Sequence, residues 1–179
     1  MQGGWEAGLD GGLMNFYTYR FDNIEQYLHH RPPYLLVDGI LEIAEDSIRK
    51  EKQVRGDEFY IQGHFPGAPI LPGAMMQEFV TQSAGILIAA NYNPMREFDT
   101  NDPRFNEFAL GVLVKVKSAK YKSFARVGDL LEAKVKLREL VSNIFEFSAE
   151  IRVGDANIMN ARFQLTNIPS TTLRGVTAC

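Results

Sequence analysis

The feature that most constrains this chain is the segment after Pro72, which has helical periodicity and is apolar on nearly all sides. One face of the helical pattern carries Met76, Phe79, Val80, Ser83, Ala84 and Leu87. The opposite face is hardly more polar and carries Ala74, Met75, Glu78, Gln82 and Gly85. A helix of this kind is stable only when protein surrounds it. The rest of the chain is therefore expected to wrap around it.

Four later segments have the pattern of strands that can form this wrapping. Apolar and polar side chains alternate in the segments 110–118, 130–140, 144–153 and 158–166. A period of two with one wet face is typical of an antiparallel sheet, and Gly154 and Asp155 are placed to form a hairpin turn. The sequence therefore predicts an α+β fold in which an antiparallel sheet curves around a long central helix.

The remaining segments are predicted to flank this core. Residues 21–30 have apolar side chains at helical spacing, and Pro32 and Pro33 end this predicted helix. Residues 34–44 are predicted to form a buried strand with a turn or bulge at Asp38 and Gly39, and residues 47–54 a more polar partner strand. Residues 91–106 form a long connection, predicted to be either a functional lid or a solvent-exposed excursion.

Length and composition fit one domain in a reducing compartment. With 179 residues, the chain suits a single domain, predicted over 14–168, between a glycine-rich leader at 1–13 and a polar tail at 169–179. The only cysteine, Cys179, excludes an intramolecular disulfide, so a cytoplasmic protein is expected. The net charge of −3 disfavours a general nucleic-acid binder. The charge-free stretch 79–95 is too short and too polar to predict a membrane span.

Two side chains near the start of the helix have the chemistry of a general acid and a general base. Glu78 is the only formally charged residue between Glu58 and Arg96. Burial would raise the pKa of its carboxyl, so that it could donate a proton near neutral pH; the alternative is that this helix face is simply wet. His64 lies between glycines in "GHFPG", a rigid segment that lets backbone approach a ligand closely, although a lone histidine is more often structural.

The "LPG" at 71–73 is the third part of this candidate site, after the acid and the base. It opens the helix and leaves unpaired backbone N–H groups that can bind an oxyanion, or it is only an ordinary helix start. Removal of a proton α to a carbonyl builds negative charge on the carbonyl oxygen, and expulsion of a β-hydroxyl requires a proton donor. A base, an acid and an oxyanion donor together suit that elimination.

Three motifs also resemble a known family. The segments "HRPPYLLVD" (30–38), "QGHFPGAPILPG" (62–73) and "EFVTQSAG" (78–85) resemble the β-hydroxyacyl-(acyl carrier protein) dehydratases of bacterial fatty acid synthesis, with gaps over residues 27–165. The resemblance implies a hot-dog fold, a long central helix wrapped by an antiparallel sheet. It also implies a homodimer whose two sites each combine residues from both chains, with larger assemblies such as a trimer of dimers possible.

The resemblance implies a role for each site residue. His64 takes the α-proton, and Glu78, reaching in from the partner subunit, handles the hydroxyl that leaves as water. The Gly73 N–H binds the thioester carbonyl, Gln82 helps to orient Glu78 from one turn further along the helix, and Phe65 lines the acyl tunnel.

Further details of the resemblance concern the branch of the family, the orientation of His64 and two departures from the family pattern. Glutamate at position 78 and Pro66 after "GHF" favour the dehydrase-only branch of the family over the relatives that also isomerise the double bond. The Ile70 carbonyl is implied to fix the His64 ring. Phe79 stands where the family usually has a small alanine, so an altered acyl tunnel is expected. The connection 91–106 is longer than usual, so acyl chain length, lid and oligomer contacts are not carried over from the family.

The implied carrier of the substrate is an acidic acyl carrier protein. Residues 115–138 hold 8 Lys or Arg against 2 Asp or Glu, whereas residues 1–110 hold 8 against 16, so a basic surface is predicted in the second half. Such a surface would steer an acidic carrier; the alternative is a merely solvated strand face. The candidates are Lys115, Lys117, Lys120, Lys122, Arg126, Lys134, Lys136 and Arg138.

The predicted function is dehydration of 3-hydroxyacyl-(acyl carrier protein) to trans-2-enoyl-(acyl carrier protein) in fatty acid or related lipid biosynthesis. The alternatives are a hot-dog acyl thioesterase and a non-catalytic acyl-carrier-binding subunit. No cofactor and no metal are expected, because His29 and His30 fit a helix end and have no further ligands at metal-binding spacing.

Overall fold

Six antiparallel strands form one sheet around a long helix in the computed structural model, which describes residues 15–101 and 107–173. The elements in chain order are β1 (Gly39–Ile43), β2 (Ser47–Gln53), α1 (Gly73–Asn91), β3 (Phe108–Tyr121), β4 (Leu130–Val141), β5 (Ile144–Val153), β6 (Ala156–Pro169) and α2 (Ser170–Leu173). The order of the strands in the sheet is β1-β2-β4-β5-β6-β3. The predicted α+β fold and the hot-dog architecture are confirmed. The leader at 1–13 lies outside the described residues.

Helix α1 is enclosed by the sheet as its sequence predicts. Every residue from Met76 to Ala90 is buried except Glu78. The helix contacts strands β2 to β6, and its apolar side chains join those of β5 and β6 in one core. In the described part of the chain, no helix is long and apolar enough to cross a membrane.

Two glycines bring α1 and β3 together at backbone distance. Gly111 of β3 has φ +71°, and a Cβ there would lie 2.9 Å from the Gly85 Cα of α1. Leu28 covers Gly85 from the other side, since a Cβ on Gly85 would lie 3.2 Å from the Leu28 Cδ2. The Asn167 side chain accepts a hydrogen bond from the Gly111 N–H at 3.1 Å and holds the strand in place. A side chain at Gly111 would therefore push the helix away from the strand, whereas one at Gly85 would press on Leu28.

The predicted helix over 21–30 is wrong, because only a 3₁₀ turn forms at Ile24–Gln26. The carbonyls that would continue a helix are engaged elsewhere. The Arg31 guanidinium donates to the Leu28 carbonyl at 2.7 Å and to the Glu25 carbonyl at 3.3 Å. The Thr100 hydroxyl also donates to the Glu25 carbonyl. Contacts with a residue far along the chain thus override the local helical pattern.

The predicted first strand begins later than expected. Residues 35–38 are not in a strand, and β1 starts at Gly39 with a bulge between Ile40 and Glu42. One reason is that the Leu36 N–H donates to the Gln82 side chain at 2.9 Å instead of to a neighbouring strand. The polar partner strand is confirmed as β2, which pairs antiparallel with β1.

The long connection after α1 is packed onto the N-terminal segment as far as the structure describes it, to residue 101. Asn93, Met95 and Thr100 are buried. Tyr17 donates its N–H to the Asn93 carbonyl at 2.7 Å, and the Arg31 guanidinium donates to the Thr100 carbonyl at 2.9 Å. These residues are therefore not a solvent-exposed excursion. The predicted connection continues to 106, and its residues 102–106 lie outside the described ranges.

The period-two pattern places the inner faces of β4, β5 and β6 correctly, but β3 and Glu146 differ from the prediction. Val114 and Val116, expected on the dry face of β3, are 49% and 43% exposed. The reason is that β3 is an edge strand, so that less of the described chain covers its side chains. Glu146, expected on the wet face of β5, is buried beneath the Lys117 and Arg162 side chains, with Arg162 Nη2 at 2.6 Å.

The polar strand β2 contributes two lysines to the interior, which the sequence analysis did not predict. Lys50 and Lys52 both point inward and are fully buried. Lys52 forms an ion pair with Glu58. No acceptor for the Lys50 Nζ is present among the described residues, and burial holds the pKa of its amine well below the ordinary value. An unpaired buried polar group is costly, so Lys50 destabilises the fold.

Replacing Lys50 by methionine should therefore raise the free energy of unfolding by about 1–3 kcal/mol at pH 7. The folded state holds the amine at a pKa below its unfolded value of about 10.4, so the unfolded chain binds more protons between these two pKa values. The stability of the wild type should then rise with pH in this range, and that of Lys50→Met should rise less. Urea unfolding at pH 7 and pH 9.5 measures both effects.

A matched control for this prediction is Lys134→Met. Lys134 is exposed on the neighbouring strand β4, so its replacement should change neither the stability nor its pH slope by a comparable amount. Loss of stability in Lys50→Met, with the pH slope of the wild type retained, would contradict the prediction.

Candidate active site

Glu78 faces a cavity of about 350 Å³ that opens between three parts of the chain. Its walls are residues 27–30 and 34 before β1, the turns of α1 from Glu78 to Gly85, and residues 109–113 at the start of β3. Gly85 and Gly111, whose backbones touch, both line it. Most of the lining is apolar, so a carboxyl group here is in the setting that suits an acid rather than a solvated anion.

The Gln82 amide fixes the Glu78 carboxyl. Gln82 Nε2 donates to Glu78 Oε1 at 2.9 Å and to the Tyr34 carbonyl at 2.9 Å, which uses both of its N–H groups. Its Oε1 accepts the Leu36 N–H at 2.9 Å. A flipped amide would turn Oε1 toward the Tyr34 carbonyl and the Glu78 carboxyl, which are both acceptors, so the observed orientation is the favoured one. Because Oε1 of Glu78 accepts a hydrogen bond, the proton of the neutral acid belongs on Oε2.

Burial raises the pKa of the Glu78 carboxyl, and the Gln82 amide and the Tyr34 hydroxyl act against this rise without cancelling it. The side chain is 18% exposed. Its neighbours Gln77 and Thr81 are buried, so this face of the helix is not wet. His30 Nε2 lies 3.9 Å from Glu78 Oε1, and burial followed by the charge of Arg31 lowers the pKa of the His30 ring. A neutral imidazole beside it does not force the carboxyl to ionise.

His64 lies in the loop between β2 and α1, where the backbone and a carbonyl fix its ring. Its Nδ1 is 3.2 Å from the Ile70 carbonyl, the contact that the family resemblance implies. A carbonyl only accepts hydrogen bonds, so Nδ1 carries the hydrogen and Nε2 has the free lone pair of a base. The Ile70 N–H donates to the His64 carbonyl at 2.9 Å and closes the loop.

Gly73 is the first residue of α1, directly after Pro72. Its N–H has no acceptor within the helix and lies at the partially positive helix terminus. A Cβ at this position would lie 3.1 Å from the Tyr121 ring at the end of β3. The tight contact explains why glycine is present, and it ties the loop of His64 to the last residue of β3.

One chain does not bring all predicted site residues to one cavity. Glu78 and Gln82 line the cavity described above, but His64 and Phe65 do not. Phe65 is 55% exposed, stacks on the His64 ring at 4.2 Å between centroids, and lines a separate apolar groove with Ile70 and Phe124. Phe79, expected to alter the tunnel, is buried in the core and does not line the cavity.

Sequence analysis missed the two side chains beside Glu78. Tyr34 and His30 belong to the motif "HRPPYLLVD", which carries the family resemblance but predicts no chemical role for either side chain. Both line the cavity, and so does His29. The predicted helix end at these histidines is wrong, because the preceding 3₁₀ turn ends at Gln26. No group of three or more His, Cys, Asp or Glu residues within the described ranges could hold a metal.

Comparison with known proteins gives matches over most of the chain. Residues 28–162 match the model of the FabA-like domain. The 3-hydroxyacyl-[acyl-carrier-protein] dehydratase FabZ of Petrotoga mobilis is 33% identical over 125 residues, 70% of this chain and 81% of the relative. FabZ of Cupriavidus taiwanensis is 35% identical over 144 residues, 80% of this chain and 90% of the relative. A solved chain of the dehydratase heterocomplex ApeI:P from Xenorhabdus doucetiae superposes with a TM-score of 0.69 at 16% identity, over 89% of this chain and all of that one.

Proposed function

The chain belongs to the FabA-like family, and we propose that it dehydrates 3-hydroxyacyl-(acyl carrier protein) to trans-2-enoyl-(acyl carrier protein) in fatty acid or related lipid biosynthesis. The observation that carries this proposal is the buried carboxyl of Glu78, held by Gln82 at the wall of an apolar cavity and with a raised pKa. Curated relatives covering at least two thirds of the chain have the name of this activity.

The proposed reaction is an elimination in which each predicted residue has one task. His64 Nε2 takes the α-proton of the substrate, and the electrons of that C–H bond form the Cα–Cβ double bond. The Gly73 N–H stabilises the charge that develops on the thioester oxygen. Glu78 gives its proton to the β-oxygen as the Cβ–O bond breaks, and water leaves. Phe65 lines the path of the acyl chain, and with glutamate as the acid the enzyme releases the 2-enoyl product without isomerising it.

The proposed site is shared between two chains of a homodimer that pair through β3. Among the described strands, β3 pairs only with β6, and its open edge carries exposed apolar side chains at Leu113, Val114 and Val116. An edge of this kind is a template for pairing with a second chain.

The two-fold symmetry of such a dimer supports the shared site. Antiparallel pairing of two β3 strands sets the end of one beside the start of the other. The end of β3 touches Gly73 and so the His64 loop, and its start lines the Glu78 cavity. His64 of one protomer would therefore approach Glu78 of its partner. A trimer of dimers and a cytoplasmic location stay predictions.

The proposed partner is an acidic acyl carrier protein. Ion pairs and hydrogen bonds within the fold reduce the number of predicted cations that are available to contact it. Four candidate cations are engaged within the fold: Lys117 with Glu146, Lys122 with Asn157, Lys136 with Asp46 and Arg138 with Ser148. Arg126 lies over the Phe124 ring at 6.0 Å and lines the groove of Phe65. Arg126 is thus the best candidate for a carrier contact near the tunnel, with Lys115, Lys120 and Lys134 next.

The test is turnover of 3-hydroxyacyl thioesters of several chain lengths on acyl carrier protein and on coenzyme A. We expect formation of the conjugated 2-enoyl thioester, followed by its absorbance, with faster turnover on the carrier protein. Release of free thiol from acyl thioesters without enoyl formation would identify a thioesterase instead. Binding of the carrier protein with no turnover of any chain length would leave the non-catalytic subunit as the function.

A further inference from the structure

The loop that presents His64 contains one partner of a buried ion pair to which the proposed mechanism gives no task. Lys52, on the inward face of β2, has a side chain that is 1% exposed, and its ammonium donates to Oε1 of Glu58, whose side chain is 7% exposed. Burial acts to raise the pKa of the Glu58 carboxyl, but the hydrogen bond from Lys52 leads the contacts that hold this pKa below its ordinary value. Such a pair adds little stability over apolar side chains of the same size, but each charge must face the other.

The ion pair fastens a part of the loop that the main chain leaves unattached. Within the described chain, backbone hydrogen bonds join this loop, residues 54–72, to other elements only near its ends. They lie at Val54 and at Leu71, whose N–H groups donate to carbonyls of the connection between β3 and β4 at 2.9 Å and 2.8 Å. Between these two points, the bond from Lys52 to Glu58 joins the loop to the sheet at β2.

Two backbone hydrogen bonds connect Glu58 to His64. Ile61 donates its N–H to the Glu58 carbonyl at 2.8 Å, and His64 donates its N–H to the Ile61 carbonyl at 2.9 Å. The second carboxylate oxygen of Glu58 accepts the Arg55 N–H at 3.1 Å, which closes the turn before this segment. Because these bonds follow one another directly, a displacement of Glu58 would also displace the backbone of His64.

We propose that Lys52 and Glu58 are positioning residues for His64, because their ion pair fixes on β2 the loop from which the imidazole reaches the substrate. Neither side chain lines the Glu78 cavity or the groove of Phe65, so both act through His64 and not on the substrate. This proposal rests on the proposed function, since the direction of the Nε2 lone pair matters only if it takes a proton.

The experiment replaces both members of the pair in the full-length protein, Lys52→Met together with Glu58→Gln, so that no buried charge is left without its partner. The new amide oxygen can still accept the Arg55 N–H, whereas the link to β2 is lost. We expect kcat to fall about 10- to 100-fold with little change in KM, the effect of a catalytic group displaced by about 1 Å. Added to His64→Ala, the same two substitutions should cause no further loss, because the pair acts only through the imidazole.

A second readout needs no substrate. The N–H groups of Ile61 and His64 should exchange with solvent faster in the double variant, whereas those of α1 should exchange as in the wild type, because only the loop is released. The single variant Glu58→Asp keeps both charges and shortens the side chain by one methylene group. Its kcat should also fall while its KM is retained, which tests the position of the loop without removing a charge.

The matched control is an exposed ion pair that also involves β2. Arg49 and Glu132 lie 3.2 Å apart on β2 and β4, and Arg49→Met together with Glu132→Gln removes them. The kcat, the KM and the exchange of the loop should match those of the wild type. An unchanged kcat in the Lys52 and Glu58 variant, or an equal further loss in the His64→Ala background, would overturn the proposal. Faster exchange of the loop in a protein that dehydrates no 3-hydroxyacyl thioester would uphold the anchoring contact and reject the proposed function.

Discussion

Replacing His64 by alanine should reduce kcat/KM for dehydration by about 10²–10⁴-fold, the range that a general base supplies. The reason is that the His64 Nδ1–H donates to the Ile70 carbonyl, which fixes the tautomer and leaves the lone pair on Nε2 free to accept a proton. No other described residue of the "GHFPG" loop offers a base at this position. Steady-state rates on a 3-hydroxyacyl carrier-protein substrate measure the loss.

The control for this variant is Gln62→Ala, two residues earlier in the same exposed loop. It should retain nearly full activity, and both variants should unfold at temperatures close to that of the wild type. If His64→Ala kept more than a tenth of the wild-type rate, another group would have to take the α-proton.

Mixing two inactive variants should restore activity if the site is shared between chains. His64→Ala and Glu78→Gln homodimers each lack one residue in both sites. Subunit exchange makes hybrids for about half of the dimers, and each hybrid has one site with both residues intact and one with neither. Mixed and refolded subunits should therefore reach about one quarter of the wild-type activity, from a background near zero.

The matched control is a mixture of His64→Ala with the double variant that carries both substitutions. Neither chain of its hybrids carries His64, so no site can be intact and activity should stay at the background. Failure of the first mixture to recover, with hybrids verified by mass spectrometry, would place His64 and Glu78 of the active site in the same chain.

The sequence was sufficient for the parts of the fold that local pattern controls. The helix after Pro72 is apolar all round because the sheet and the segment before β1 together cover it. The alternation in β4, β5 and β6 follows from one buried face. The candidate acid could be named because a single carboxylate in a long apolar stretch is rare. These features depend on residues that are neighbours along the chain or on one face of an element.

The predictions that the structure contradicts involve contacts between residues that are distant along the chain. The segment 21–30 reads as helical, but Arg31 and Thr100, which are 69 residues apart, take up its carbonyls and bond to each other. Glu146 reads as solvent-exposed until two cations from β3 and β6 cover it. Tyr34 lines the same cavity as Glu78, and Gln82 fastens the backbone of its segment to the helix. Periodicity contains no information on such pairings.

The contact between Gly85 and Gly111 restricts how this cavity can change size. Backbone packs directly against backbone there, and the Asn167 side chain accepts a hydrogen bond from the Gly111 N–H. This part of the wall therefore has no side chain that could move to admit a larger ligand. Any gain in depth must come from trimming side chains such as Leu28, which caps the glycine from the opposite direction. If the proposed substrate enters this cavity, its preference for acyl length should depend on the volume of these side chains, because the backbone of this wall is fixed.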